Sequence, residues 1–551
     1  MSLNYSDLPG FQNLFLDYIN EFENVNKFYP KNFRNDEDFL KTFSDLETYD
    51  RPHQKEISKI IKNQYLDFSI SKQTKSNIAA LESKDTFAVV TGQQVSLFGG
   101  PMYTIFKTIT AIKLSNLLNE KYSDYNFVPI FWMEADDHDF AEVASTNILD
   151  KENTNTTLTY DDGLEEETNR GPVGNIEFNS NIKLSLADLS DALRDNEFKN
   201  DILALLNDSY KEGNTFKESF KNLLFNLFNE YGLIIFDPQD SSVKNLLLPI
   251  FEKEINEFQT HTTTNVLRSA ELEEVYHAQV KVKPVNLFYT DESGRHLIEP
   301  TEDGFRFKGK RKRLNEEELL NLLYFDPTAF SPNVLLRPIC QDFLLPTAVY
   351  VGGPSEISYF AQVIPNYSFF DVVSPILFPR SSATILESRQ LSIINKYDLS
   401  NRCEILFSPV MGQMNPTIRE SGDYKHALWD HLHIIADFQS IINKGNLAEI
   451  VAGLEIIRSS PSYSTPELYY WHRESRSSNA EIDYVISKNN TIIPIEVKAG
   501  TRGQMQSLHI FMKERDIKRG LRVSHENFAD YEKISTLPLY AAGFIYKQFS
   551  I

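Results

Sequence analysis

The chain has 551 residues, 41% hydrophobic and 24% charged, too long for one hydrophobic core, so two to four domains are expected. Its net charge of -22 is carried by one part: residues 1–404 hold 39 Lys+Arg against 61 Asp+Glu, whereas residues 405–551 hold 16 of each, which argues against broad nucleic-acid binding by the first part and leaves it open for the second. No stretch reaches the roughly 18 uncharged apolar residues of a membrane helix, the opening MSLNYSDLPGFQNLF lacks the basic and apolar regions of a signal peptide, and two cysteines, Cys340 and Cys403, rule out a disulfide framework and fit a reducing cytoplasm.

In chain order, FQNLFLDYINEFENVNKFY reads as a helix with an aromatic stripe. DTFAVVTG, from Asp85, is a buried strand ending in a turn. A helix follows from about Tyr103 to Leu118, with Ile105, Ile109, Ile112 and Leu117 near one face, and then FVPIFWM as a second buried strand. Strand, helix, strand in this space is a βαβ unit and implies a parallel sheet. Residues 150–180 are polar and read as a β-rich or extended insertion, and residues 186–231 as helical. YGLIIFDPQD is another strand, with Asp237 and Asp240 at its carboxyl end, and residues 242–275 are helical again. AQVKVKPVNLFYTDESGRHLIEP alternates like a hairpin around DESG. KGKRKR (308–313) is a solvated loop or a phosphate contact. NVLLRP, VYVGG and ILFPR read as three further strands, each ending in Arg, Gly or Pro. In an open parallel sheet, ligands bind beyond the carboxyl ends of the strands, where these polar residues fall.

Three runs carry chemistry. TGQQVSLFGGP (91–101) places Gly92, Gln93 and Gln94 at a strand end and Gly99 and Gly100 before a helix whose free N–H groups could hold an anion. It matches neither the dinucleotide fingerprint nor a Walker A loop, and is a ligand loop or an ordinary turn. Lys107, one turn into the helix, could reach a phosphate or carboxylate. MEADDHDFAE (133–142) crowds Glu134, Asp136, Asp137, His138, Asp139 and Glu142 at the end of a buried strand, which costs free energy unless they pair or bind something. Proton transfer by His138 with Asp136 or Asp139 is the first reading; a metal site and a structural ion network are the others. The runs at 335–362 and 378–387 supply Arg337, Gly352, Gly353, Glu356, Tyr359 and Arg380, with arginines suited to fork-like carboxylate or phosphate binding or to interdomain ion pairs.

The runs VVTGQQVSLFGGPMYTIFKTITAIKL, PIFWMEADDHDFAEV, LLRPICQDFLLPTAVYVGGPSEISYFAQ and FPRSSATILE resemble the bacillithiol biosynthesis cysteine-adding family, BshC, over roughly residues 1–400. The resemblance implies an α/β fold with a Rossmann-like parallel-sheet core over 1–404 and inserted connective-peptide-like segments at about 150–330. It also implies the joining of cysteine to glucosaminyl-malate, the last step of bacillithiol synthesis. Gly92, Gln93, Gln94, His138, Asp139, Gly352, Gly353, Glu356 and Arg380 fit that family's pattern. An amide made from an amine and a carboxylate needs an activated carboxylate, an adenylate or acyl phosphate, which makes ATP and Mg²⁺ the candidate co-substrate. The family closes with a long coiled-coil-like region that supports dimerisation. No heptad tract follows residue 400 here, so neither that dimer nor a substrate contact from such a tail is carried over.

In the second part, NLAEIVAGLEIIRSS (446–460) reads as an amphipathic helix and 468–500 as a hairpin. Alternation puts Glu481 with Asp483 and Glu496 with Lys498 on shared faces. Asp483 and Glu496, completed by Glu449, form a candidate Mg²⁺ set, with Lys498 to orient an attacking water. The segment from about 409 to 551 resembles the DUF4143 domain, and the resemblance implies a smaller α/β, restriction-endonuclease-like domain related to PD-(D/E)xK nucleases and contact with DNA. No P-loop occurs in the chain. An active nuclease, a DNA-binding remnant and a fused segment with little function all remain open.

Overall fold

The computed structural model describes residues 5–383 apart from 8, 9, 153 and 166, and, further on, 452, 453, 456, 469–472, 481–488, 491–498, 505–524, 526, 528–531, 533–538, 541 and 542. The chain divides into two compact units, Phe11–Ala383 and a second made of Met1–Gly10 with Thr384–Ile551.

The first unit is organised by five parallel strands, β1 (Thr86–Gln94), β2 (Asn126–Glu134), β5 (Ile234–Phe236), β11 (Thr347–Gly352) and β12 (Ile376–Pro379). Their spatial order is β12-β11-β1-β2-β5. In chain sequence that is 5-4-1-2-3, the Rossmann order, which reverses direction between β1 and β11. Both faces are covered by helices, so the strands are continuous apolar runs rather than alternating ones: Phe87, Ala88, Val89 and Val90 are all fully buried. The helix Tyr103–Lys121 returns the chain from β1 to β2. Phe43, from the N-terminal helix Asp36–Thr48, stacks on Phe87 with centroids 5.5 Å apart and closes one edge of this core.

Two insertions interrupt the sheet. Between β2 and β5 lie the hairpin β3 (Ser145–Leu149)/β4 (Asn155–Thr159) and the helices Ile182–Ala192, Lys199–Ser209 and Phe216–Phe228. Between β5 and β11 lies the helix Leu248–Glu273, followed by an antiparallel sheet of β6 (Leu287–Asp291), β7 (Gly294–Thr301), β8 (Gly304–Phe307), β9 (Arg313–Leu314) and β10 (Phe330–Pro332), in the order β10-β6-β7-β8-β9. The turn at Asp291–Gly294 is the one DESG predicts. NVLLRP, expected as a strand, is instead a turn running into the helix Arg337–Leu344. Asn333 Oδ1 accepts from the N–H groups of Leu335 and Leu336, and Pro338 suits the first helical turn, so the apolar run is bent before it can pair. The basic run 308–313 joins β8 to β9 of the antiparallel sheet, where Lys310 pairs with Asp291 at 3.2 Å.

The second unit holds a mixed sheet of β13 (Tyr469–His472), β14 (Glu481–Lys488), β15 (Thr491–Val497), β16 (Gly520–Ser524), β17 (Ala529–Tyr531) and β18 (Ile534–Pro538), in the order β13-β14-β15-β16-β18-β17. β14 and β15 form the expected antiparallel pair, and the helix Gln506–Glu514 carries the chain from β15 to the parallel β16. Ile486, Ile493, Ile495, Leu521 and Val523 pack on one face with Ala452 and Ile456. Among the described residues, no helix is long and apolar enough to cross a membrane.

Candidate active site at the switch point of the parallel sheet

A cleft of about 640 Å³ opens beyond the carboxyl ends of β1, β2 and β11, at the point where the strand order reverses. Its floor is Gly92, Gln93 and Gln94 of β1 and Trp132 and Glu134 of β2. Gly92 is required by close packing: a Cβ there would lie 2.9 Å from the Trp132 carbonyl oxygen on the neighbouring strand. Its cationic lining comprises Arg295, Arg337, Arg380, Lys107, Lys281 and Lys283. Against these stand Glu134, Asp137, Glu142 and Glu356, so the cleft holds more cations than carboxylates on a chain of net charge -22.

One ion pair ties the two halves of the cleft together. Lys107 Nζ lies 2.5 Å from Glu356 Oε2. It also donates to the Gly92 carbonyl at 3.0 Å and to Gln93 Oε1 at 2.9 Å. All three donors of the ammonium are therefore taken by protein acceptors, and Lys107, which lines the cleft, clamps the end of β1 to the helix after β11. Glu356 is equally committed, accepting from Tyr350 Oη and from the Gly353 N–H, each at 2.7 Å. Burial would raise its pKa, but Lys107 and these donors outweigh that and hold it below the usual carboxylate range. Burial lowers Lys107 from its ordinary value. Gly353 is hemmed in by this arrangement, since a Cβ would meet Glu356 Oε2 at 3.2 Å and Arg380 Nε at 3.4 Å. The Gly352 carbonyl accepts the Arg380 N–H at 2.9 Å, which fixes the start of the segment bearing that arginine.

The acidic-histidine run divides between two tasks. Asp136 turns away from the cleft into a buried pair with Lys244 at 2.6 Å and accepts from Gln239 at 3.0 Å. Burial opposes its ionisation, but these partners keep it below its ordinary pKa. Asp139 caps the short helix Phe140–Val143 through the Glu142 N–H. Neither orients His138. The residue that does is Asp137, whose Oδ1 lies 3.2 Å from His138 Nδ1 and whose Oδ2 accepts from Gln94 at 3.0 Å. His138 itself lines the cleft with its side chain half exposed.

Arg295, from β7 of the inserted sheet, was not marked out by the sequence. It is 7% exposed, its guanidinium carbon lies 3.7 Å from the centroid of the Phe288 ring, and it donates to Ser331 Oγ and the Pro332 carbonyl. Its Nη1 is 3.3 Å from His138 Nδ1 and 3.8 Å from Asp137 Oδ1. The signal was present in GRHLIEP, an arginine beside a hairpin turn, but nothing local says that it meets His138. Arg337 leads its helix into the cleft, with Nη1 on Gln341 Oε1 at 3.0 Å and Nε 3.6 Å from Glu134 Oε2. Arg380 packs over Tyr103 and donates through Nη1 to Ser382 Oγ; its Nε and Nη2 have no protein acceptor among the described residues. Gly99 and Gly100 do not line the cleft: Gly99 N–H donates to Tyr210 Oη, which donates to the Ser96 carbonyl, so this turn is anchored to the first insertion.

In the second unit, Asp483 Oδ2 accepts from the Val497 N–H at 2.7 Å. Glu496 Oε2 accepts from the Leu508 N–H at 3.2 Å, and its Oε1 pairs with Lys498 at 2.9 Å. Glu449 and the side chain of Glu481 lie outside the described residues. Among the described residues, no three His, Cys, Asp or Glu side chains are arranged to hold a metal ion. The two carboxylates present are engaged with backbone and lysine donors and do not by themselves make a cation site.

Comparison with known proteins separates the chain along similar lines. Residues 389–446 match a domain of unknown function, DUF4290, and residues 444–541 match another, DUF4143. Two curated relatives share the description "Putative cysteine ligase BshC". The one from Salinibacter ruber is 35% identical over 399 residues, covering 71% of this chain and 71% of its own length. The one from Chloroherpeton thalassium is 36% identical over 397 residues, covering 70% of this chain and 69% of its own. Residues 1–381, which supply every residue of the cleft, match the model described as bacillithiol biosynthesis BshC, N-terminal Rossmann-like domain, and the chain belongs to the BshC family.

Proposed function

We propose that the first unit is a cysteine ligase that joins the carboxyl group of L-cysteine to the amine of glucosaminyl-malate, the last step of bacillithiol synthesis. The observation that carries this reading is the cationic cleft at the switch point of a BshC-family sheet. Malate brings two carboxylates, and Arg380, whose Nε and Nη2 have no acceptor among the described residues, together with Lys281 and Lys283 at the rim, provides charge to hold them. Arg337 lies deeper and suits the reacting cysteine. Activation by ATP and Mg²⁺ would supply a leaving group on the cysteine carboxyl. His138, half exposed and held between Asp137 and Arg295, is placed to pass protons between cleft and solvent.

Full-length protein incubated with cysteine, glucosaminyl-malate and ATP-Mg²⁺ is expected to yield a product heavier than glucosaminyl-malate by cysteine less one water, read by mass spectrometry. A folded protein that makes none under these conditions would contradict the reading.

A further inference from the structure

Most carboxylates around the cleft are already committed. Glu356 accepts three hydrogen bonds, Asp137 is held by Gln94 and His138, and Asp136 is paired with Lys244. Two that line it have no side-chain hydrogen bond among the described residues, Glu134 and Glu142. Glu142 is exposed to water. Glu134 is partly shielded, its side chain 27% exposed, but its Oε2 is buried without a hydrogen-bond partner among the described residues, with Arg337 Nε nearby at 3.6 Å. Two residues earlier on the same face of β2, the Trp132 indole N–H is also buried and unpartnered, in a side chain 2% exposed. A buried donor and a buried acceptor left open on one face of a strand that lines a cleft cost free energy unless a ligand completes them.

We propose that Glu134 is the catalytic residue that takes the proton from the amine as it attacks, an assignment that rests on the ligase reading above. The neutral amine adds to the carbonyl carbon of cysteine activated as an acyl phosphate or acyl adenylate, forming the C–N bond. The nitrogen, now positively charged, gives one proton to the Glu134 carboxylate. The C–O bond to the phosphate breaks, and its electron pair leaves on the phosphate oxygen. The charged groups facing Glu134 fit this task. Arg337 on its own helix and Arg295 on β7 favour the carboxylate, whereas Asp136 and Asp137 beyond β2 disfavour it, and burial is the largest influence, pushing its pKa up to about 7. A base in that range is matched to an amine at neutral pH.

The test is steady-state kinetics of full-length protein and its Glu134→Gln variant, with product followed by mass spectrometry. Loss of kcat by about 100-fold or more, with KM for glucosaminyl-malate little changed, is expected. The acid limb of the wild-type kcat profile near pH 7 should be absent from the residual rate. Glu134→Asp should restore part of the rate with its acid limb, which a merely structural role would not do. Wild-type kcat and an unaltered limb in Glu134→Gln overturn the assignment and leave the ligase reading standing. Absence of product from the wild type overturns both.

Discussion

Lys107 and Glu356 are 249 residues apart in sequence and 2.5 Å apart in space, across the line where the strand order of the parallel sheet reverses. The lysine side chain is 4% exposed and the glutamate 19%. Removing one partner leaves the other charge buried and unpaired, so Lys107→Met should lower the stability of the first unit by about 3–5 kcal/mol. The double variant Lys107→Met/Glu356→Leu should lose less than the single one. Denaturant unfolding followed on the first unit measures both, and a single variant as stable as wild type would contradict the clamp.

Arg380 is expected to act on binding. Charge-assisted hydrogen bonds contribute about 1.5–3 kcal/mol, so Arg380→Gln should raise KM for glucosaminyl-malate by about 10- to 100-fold. Its kcat at saturation should change little, because Arg380 stands at the rim and not at the acceptor face of β2. A selective loss of kcat would place the arginine at the reacting atoms instead.

His138→Asn should depress product formation by about 100-fold or more while changing the melting temperature little, since the ring is half exposed and its ring contact is with Phe288, 6.0 Å away between centroids. Asp137→Asn should reproduce much of that loss, whereas Asp139→Asn should not, because Asp139 serves the helix Phe140–Val143. Equal losses in the two aspartate variants would overturn this division.

Glu134 also makes a prediction about stability. Its carboxyl is pushed up to about 7 in the folded chain, against an ordinary value of 4.5. Between those values the folded state holds a proton that the unfolded state has lost. Its contribution is therefore fully present below about pH 4.5, and is lost as pH rises through 7. Glu134→Gln, uncharged throughout, should melt at a higher temperature than wild type at pH 8, with the difference shrinking towards pH 5. A variant less stable than wild type at pH 8 would contradict the burial of an unsatisfied carboxylate.

The strands of the central sheet were legible because each is built on a short apolar run followed by Gly, Pro or a polar residue, as in DTFAVVTG and FVPIFWM. Their carboxyl ends pointed to the site for the same reason. Partnership was not legible. Asp136, Asp137 and Asp139 stand at equal standing beside His138 in sequence, and only Lys244, 108 residues away, decides that Asp136 is removed from the cleft. Arg295 meets His138 across 157 residues through the inserted sheet. NVLLRP has a strand's composition, and Asn333 and Pro338 bend it into a helix start.

The most direct test of the central claim is a crystal structure of the full-length protein with glucosaminyl-malate. The account predicts the ligand at the switch point, its malate carboxylates on Arg380 and the rim lysines, and its amine turned towards Glu134. A ligand bound elsewhere in the chain, with the cleft left open, would contradict it.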